Sequence, residues 1–276
     1  KKFSTLPSME PFASTLVDQD VYVRKAALSA ANAMLESFLE YELPENLENQ
    51  ISKLLPILLE SATKLCDDGD DLYALKAISC IDTLICAQHK SVKRYFSGII
   101  DTLAHALRSD SLTIMSKKSV AEAVSTLLAL NREDLTSGGH ITRLAEPLFR
   151  LSYDALQNGF EDCDDDNFWT VFTQISENLP EEQGFNLMAP LTVTMAENSE
   201  THVRAAGLYV MSLLVDGLKQ PLSELDADSK SPSLVQQMLP FAVRGLSDPS
   251  PLVSEAALRA TASFIQALDS MFPPEG

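Results

Sequence analysis

The side chains in this sequence best placed to do chemistry are carboxylates, and they are unevenly spread. From Leu151 to Val203 there is no Lys or Arg, while eleven acidic residues occur, five of them within Glu161-Asp162-Cys163-Asp164-Asp165-Asp166. Carboxylates packed this closely build a local negative potential that holds a basic segment and speeds its encounter. A solvated loop that only aids solubility is the alternative, but net charge by itself does not require acids to cluster. Glu161, Asp162, Asp164, Asp165 and Asp166 are therefore candidate contacts for a basic partner. Trp169 follows them, with Phe168 and Phe172 nearby. It is either an anchor buried between helices or an aromatic hot spot of the same binding surface.

The other chemical options are weaker. Asp67-Asp68-Gly69-Asp70-Asp71 looks like a calcium loop, but the twelfth position counted from Asp67 is Ile78, where an EF-hand needs a bidentate Glu. A helix-capping turn is expected instead, since acids at a helix N-terminus favour the dipole. His89, His105, His140 and His202 show no HExxH spacing, and Cys66, Cys80, Cys86 and Cys163 show no CxxC. Surface or packing roles are expected for the histidines, core packing and a reducing compartment for the cysteines. No GxGxxG, Walker loop or GxSxG occurs. Neither a metal, a cofactor nor a catalytic activity is expected.

The elements that must position these acids are helices. The chain has 276 residues, a formal net charge of −18, 45% hydrophobic residues and 10 Gly, with apolar positions recurring at helical spacing almost from end to end and no convincing strand. That charge repels phosphates and anionic headgroups, so nucleic-acid and membrane-surface roles are not expected. No apolar run approaches the roughly 18 residues of a membrane span, and nothing at the start reads as a signal peptide. Opening on Lys1-Lys2-Phe3 and closing on Pro273-Pro274-Glu275-Gly276, the sequence reads as a segment of a longer chain.

An internal repeat organises it. Leu16-Val-Asp18-Gln-Asp-Val-Tyr-Val23-Arg24-Lys-Ala-Ala-Leu28, Ala196-Glu-Asn198-Ser-Glu-Thr-His-Val203-Arg204-Ala-Ala-Gly-Leu208 and Leu246-Ser-Asp248-Pro-Ser-Pro-Leu-Val253-Ser254-Glu-Ala-Ala-Leu258 align without gaps. Each has an apolar helix end, a short polar turn and small residues where two backbones approach to about 8 Å. Arg24 and Arg204, six residues after the turn residue, are expected to reach the preceding repeat's turn and tie neighbouring units together. Looser copies begin at Leu65, Leu107 and Leu156.

The spacing predicts an all-α α-solenoid, a superhelix of about six HEAT repeats, as a single array with repeats near 1–42, 43–90, 91–132, 133–180, 181–220 and 221–276. First helices are expected near 5–17, 47–65, 92–108, 139–157, 182–196 and 233–246; second helices near 20–41, 71–88, 112–130, 166–179, 201–219 and 251–271. Pro11, Pro56, Pro147, Pro190 and Pro240 all fall in first helices, where kinks are expected. Glu36, Glu40, Asp82, Glu122, Glu177 and Asp216 stand at outward positions of second helices. They are read either as ordinary solvated polarity or as an acidic track, with Glu177 and Asp216 taken as binding candidates.

The segment Asn178-Leu-Pro-Glu-Glu182, Leu187-Met-Ala-Pro190, Val203-Arg204-Ala-Ala-Gly-Leu208, Val215-Asp216-Gly217 and Gly245-Leu-Ser-Asp-Pro-Ser250 ahead of Ala256-Ala257-Leu258 resembles the importin-β (karyopherin-β) family, within it most closely the importin-four type. Residues 1–177 fit the same architecture with weaker motif matches. The resemblance implies a nuclear import receptor that carries basic protein cargo, such as histones or ribosomal proteins, on its acidic superhelical surface, whose second helices line the concave side. It implies release of cargo by RanGTP in the full-length protein, Ran GTPase and nucleoporins as partners, and shuttling between cytoplasm and nucleus. Asn198 and Ser254 depart from the family's Asp and Arg ladder. A HEAT scaffold of another class, for phosphatase or cytoskeletal assembly, is the competing reading; such arrays have more uniform repeats of about 39 residues.

Overall fold

Helices account for every regular element among the residues that the computed structural model describes, namely 10–38, 45–137, 139–158, 169, 171–174, 177, 181–217 and 234–269. The chain divides into two compact units, Lys1–Leu144 and Ala145–Gly276. In the first lie α1 (Glu10–Leu16), α2 (Val21–Phe38), α3 (Glu45–Asp67), α4 (Asp71–Cys86), α5 (Lys90–Arg94), α6 (Phe96–Arg108), α7 (Ile114–Leu130) and α8 (Arg132–Ser137). Helix α9 (Ile141–Gln157) runs across the division, and the second unit adds α10 (Glu181–Ala196), α11 (Thr201–Asp216), α12 (Leu234–Gly245) and α13 (Pro251–Asp269).

Pairing follows from the apolar stripes. In the first unit α1 packs on α2, α3 on α4 and α6 on α7, and the second members then pack side by side, α2 on α4 and α4 on α7. Leu54, Leu55 and Leu58 of α3, Ile81 and Ile85 of α4, Ile99 and Leu103 of α6, and Val120, Val124 and Leu127 of α7 are all at most 1% exposed. Each such side chain contributes roughly 1.5–3 kcal/mol on burial. In the second unit α10 pairs with α11 and α12 with α13, while α11 and α13 pack against each other. Ala205, Ala206, Ala256 and Ala257 are fully buried, as the small-residue pattern requires, whereas at the first repeat Ala27 is buried and Ala26 is exposed. A Cβ placed on Gly207 would lie 2.8 Å from the Thr192 carbonyl oxygen and 2.7 Å from Met195 Cβ. Only glycine lets α11 come so near α10.

Three local expectations change. The expected helix over 92–108 is two, because Tyr95 (φ −109°, ψ 19°) breaks it between α5 and α6, and the short α8 lies where no helix was expected. Pro11 falls in the opening turn of α1, which tolerates proline, while Pro56, Pro147, Pro190 and Pro240 do lie inside helices. The ladder also runs the other way. Arg204 reaches the following turn, donating from Nε to Asp248 Oδ2 at 2.9 Å and from Nη2 to Oδ1 at 3.2 Å, while its Nη1 donates to its own turn's Asn198 and Ser199 carbonyls at 3.1 and 2.8 Å. Its position in the first turn of α11 brings it to the turns, since helical side chains lean toward the N-terminus, and the packing of α11 on α13 puts the following turn beside it. Among the described residues Arg24 serves its own turn, through the Asp18 and Gln19 carbonyls at 2.6 and 3.0 Å, and Lys25 makes the forward contact instead, to Asp70. Asn198 still closes its turn as Asp18 and Asp248 do, each side-chain Oδ1 accepting the amide two residues on at 2.8 to 3.0 Å.

The Arg204 guanidinium beside Asp248 holds that carboxyl below its ordinary value, against burial, which raises it, and with help from the Ser250 amide. Because the folded carboxyl is the stronger acid, the pair's contribution is complete above a pH of about 4 and is lost as pH falls through the lowered value. We expect Arg204→Ala to cost about 2 kcal/mol at neutral pH and less in acid, and Gly207→Ala to cost about 1–3 kcal/mol at any pH. Urea unfolding followed by fluorescence of the single Trp, Trp169, checks both.

Candidate functional site: an acidic face on consecutive second helices

Three carboxylates project from three helices that stack in order: Glu36 from α2, Asp82 from α4 and Glu122 from α7. They share a face because α2, α4 and α7 bury their opposite stripes against α1, α3 and α6. Glu36 and Glu122 are exposed; Asp82 is half-buried. Polar and sulfur-bearing neighbours sit between them. Asn32 Nδ2 donates to Glu36 Oε1 at 2.7 Å, and Cys80 Sγ lies 3.5 Å from Asn32 Oδ1. Thr126 Oγ1 donates to the Glu122 carbonyl at 3.1 Å.

The electrostatics of this face are unrelieved. Burial raises the Asp82 pKa above the ordinary carboxylate value; the Thr126 hydroxyl offsets part of the rise and the Glu122 charge adds to it. Asp82 Oδ1 is buried with no hydrogen-bond partner, and no described cation pairs with Glu36, Asp82 or Glu122. On α2 and α4 the lysines nearer the N-termini are engaged elsewhere. Lys25 pairs with Asp70 and lies 4.6 Å from the Tyr73 ring, and Lys76 donates to Ser29 Oγ at 2.8 Å. Burial also pushes the Cys80 thiol up to about 12, with the Glu36 charge contributing, so that thiol stays protonated and inert. A desolvated carboxylate repelled by a neighbour is relieved either by taking up a proton, which is what the raised pKa expresses, or by a cation brought beside it.

The sequence-derived candidates fall differently. Glu161, Asp162, Asp164, Asp165, Asp166 and Glu40 lie outside the described residues. Trp169 is 3% exposed, stacked on Tyr209 with ring centroids 5.3 Å apart and 6.4 Å from Phe172. Of its two open roles, the packed one matches this burial; its indole is not on the surface to meet a partner. Glu177 is half-buried and Asp216, the last residue of α11, is exposed. Asn32 and Thr126 were not singled out from sequence. They stand four residues from Glu36 and Glu122 on the same faces, and that i, i+4 spacing was the available signal.

The acidic turn at 67–71 is a clasp between repeats. Asp67 meets His105 Nε2 at 2.8 Å, Asp70 pairs with Lys25, and Asp71 accepts from Thr113 N and Oγ1 at 3.2 and 2.9 Å and from Ser116 Oγ at 2.6 Å. Asp70 stands at the N-cap of α4 and Asp71 in its first turn, the acidic helix start that was expected, although Asp70 makes no side-chain capping hydrogen bond. The described residues contain no group of three or more His, Cys, Asp or Glu placed to hold a metal, and no described helix is long and apolar enough to cross a membrane. Cys66 and Cys80 are buried, whereas Cys86 is exposed, against its expected place in the core.

No protein-family model matches this sequence, and no characterised protein sequence matches it. Solved structures do. Karyopherin Kap121p aligns with a TM-score of 0.76 at 16% identity over 97% of this chain and 26% of its own. Kap121p bound to RanGTP aligns at 0.74 and 16% over 93% and 26%, and Kap121p bound to Nup53p at 0.75 and 17% over 94% and 25%. The chain thus spans about a quarter of the length of these neighbours, and the likeness establishes the fold: an all-α solenoid of HEAT-type helix pairs.

The Asp82 geometry carries its own test. Below a pH of about 4 Asp82 is protonated both folded and unfolded and costs nothing; as pH rises through its raised folded value the penalty for a buried charge appears and persists at neutral pH. We expect Asp82→Asn to stabilise the chain at pH 7 and to leave it unchanged near pH 3.5, measured as thermal midpoints across that range.

Proposed function

We propose that this chain is part of a nuclear transport receptor of the importin-β family, closest to the importin-four type, and that it holds basic segments of protein cargo on acidic second-helix faces. The observation that carries this reading is the Glu36, Asp82 and Glu122 row, with a buried Asp82 oxygen that lacks a donor. A Lys ammonium or Arg guanidinium from an extended basic peptide laid along this face favours the ionised form of Asp82 and offsets its repulsion with Glu122. Histone tails and ribosomal proteins offer cations at this density. The fold shared with Kap121p, solved in complexes with RanGTP and with Nup53p, supports the same reading. In the full-length protein we propose that RanGTP releases the cargo, that nucleoporins are partners, and that the protein shuttles between cytoplasm and nucleus. One continuous array of about six repeats belongs to the proposal, as does a binding role for Glu161, Asp162, Asp164, Asp165, Asp166, Glu177 and Asp216. No catalytic step is proposed.

Two triple variants separate the acidic block from the helical face: Asp164→Asn/Asp165→Asn/Asp166→Asn and Glu36→Gln/Asp82→Asn/Glu122→Gln. Titrating a fluorescent histone-tail peptide by anisotropy, we expect affinity for the unaltered chain to fall at least tenfold between about 50 and 200 mM salt, because exposed charge pairs are screened. Each variant should weaken binding at low salt and flatten the salt dependence. Unchanged affinity in the helical variant would sink the assignment of that face, and unchanged affinity in the loop variant would sink the role of the block.

A further inference from the structure

One face of α13 is bare where its counterparts are covered. In the register of the gapless repeat alignment, Leu258, Ala262 and Ile265 of α13 correspond to Leu208, Ser212 and Val215 of α11 and to Leu28, Asn32 and Leu35 of α2. Leu208, Ser212 and Val215 are at most 2% exposed, and so are Leu28 and Leu35. A following helix pair covers both sets, with α12 and α13 packed on α11 and α4 packed on α2. The fit is close: a Cβ on Gly245, the last residue of α12, would lie 3.0 Å from Leu208 Cδ1. On α13, by contrast, Leu258 is 63% and Ile265 53% exposed, and Ala262 is exposed with them.

The packing of α13 on α11 shows what fits such a face. Ala257 lies against Gly245 of α12, where a Cβ would meet Ala257 Cβ at 2.8 Å, so the neighbouring stripe of α13 is the one that turns to α11. That stripe is Val253, Ala256, Ala260 and Ser263, at most 5% exposed. Its residues are small, which lets the larger side chains of α11 seat between two backbones at the usual helix spacing of about 8–10 Å. The corresponding residues of α2 are Val23, Ala26, Ala30 and Ala33, and all four are exposed. Helix α13 therefore presents the large half of the α11–α13 packing and α2 the small half, each open to solvent.

We propose that copies of this 276-residue chain associate head to tail, the Leu258, Ala262 and Ile265 face of one copy packing on the Val23, Ala26, Ala30 and Ala33 face of the next. The two faces differ, so the contact is heterologous and each added copy leaves one face of each kind free for another. One bond of the α11–α13 contact is missing from it. The counterpart of Arg204 with Asp248 is Ser254 of one copy with Asp18 of the next, and Ser254 Oγ instead donates to the Pro251 carbonyl of its own helix at 3.0 Å. A single helix-on-helix contact buries less than about 1,200 Å², the class of weak, transient interfaces. Each copy also carries a formal charge of −18, so salt, by screening repulsion between copies, strengthens the association.

Sedimentation velocity of the chain from about 10 μM to 1 mM, at about 50 and 500 mM salt, reads the average mass. That mass should rise with concentration, and more so at the higher salt. Leu258→Glu and Ala30→Glu alter exposed positions and should each leave a monomer. Mixed in equal amounts they should form a dimer and nothing larger, since each variant keeps the face that the other has lost. Ser254→Arg should supply the missing clasp and tighten association about fivefold. Adding Asp18→Asn, which keeps the turn closed as Asn198 does, should remove most of that gain. The assignment is overturned if the unaltered chain stays monomeric throughout, if either Glu variant still assembles, if their mixture does not pair, or if Ser254→Arg changes nothing. No peptide enters these measurements, and basic-peptide binding weakens with salt where this association strengthens, so failure here and failure of the transport reading are distinguishable.

Discussion

A pair of amphipathic helices has more apolar surface than the two helices can hide from water between themselves. Packing α3 on α4 covers one stripe of each and leaves another, and at about 25 cal/mol per Å² of exposed apolar area that remainder is too costly to leave in solvent. The structure resolves this by placing the next pair alongside, so that α4 is held by α3, α2 and α7 together. Sideways stacking then dictates the rest. Because each helix spends its apolar residues on its neighbours in the stack, its remaining face is released from any packing duty and is free to carry charge.

How close the helices come is set by small residues and by the turns. Gly207 and the buried alanines of α11 and α13 permit backbone approach, and the turns fix the register in which it occurs. The carboxylates of the turns are used for this purpose: Asp248 grips Arg204, Asp70 grips Lys25, and Asp71 gathers the hydroxyls of Thr113 and Ser116. Each of these contacts joins one repeat to the next. The carboxylates on the second helices of the first unit are treated otherwise. Among the described residues Glu36, Asp82 and Glu122 have no cation, and Asp82 is partly desolvated as well. Acidic residues of one chemical type thus divide into those whose charge is consumed internally and those whose charge is left facing outward. The second group is the one that a basic partner can neutralise.

The burial of His89 follows from the same geometry at the opposite ends of the helices. Where α4 and α7 finish, the chain turns back to begin the next pair through the short helices α5 and α8. There His89 Nε2 and Asn131 Nδ2 are shielded from solvent without a partner among the described residues. Asp82 and His89 are accordingly two versions of one situation, a buried polar atom whose complement is absent from its own surroundings. One wants a donor and the other an acceptor.

The 3.6-residue recurrence of apolar positions and the turn signatures at Asp18, Asn198 and Asp248 were enough to read an all-helical stack of pairs, because a stack of this kind is built from near neighbours in sequence and each repeat states its own geometry. The turn between α10 and α11 and the close approach at Ala205-Ala206-Gly207 were legible for that reason. Direction and partnership were not. Arg204 was known to sit beside a turn, but whether it reached forward or back depended on which turn the fold brought to its side. Trp169 admitted a buried or an exposed place, and only the arrival of Tyr209 from α11 decided it. The outward positions of Glu36, Asp82 and Glu122 were visible from periodicity, but their common face, the desolvation of one of them and the buried, unpartnered nitrogens of His89 and Asn131 required coordinates. Periodicity specifies which way a side chain points from its own helix; what stands opposite it is a property of how separate helices meet.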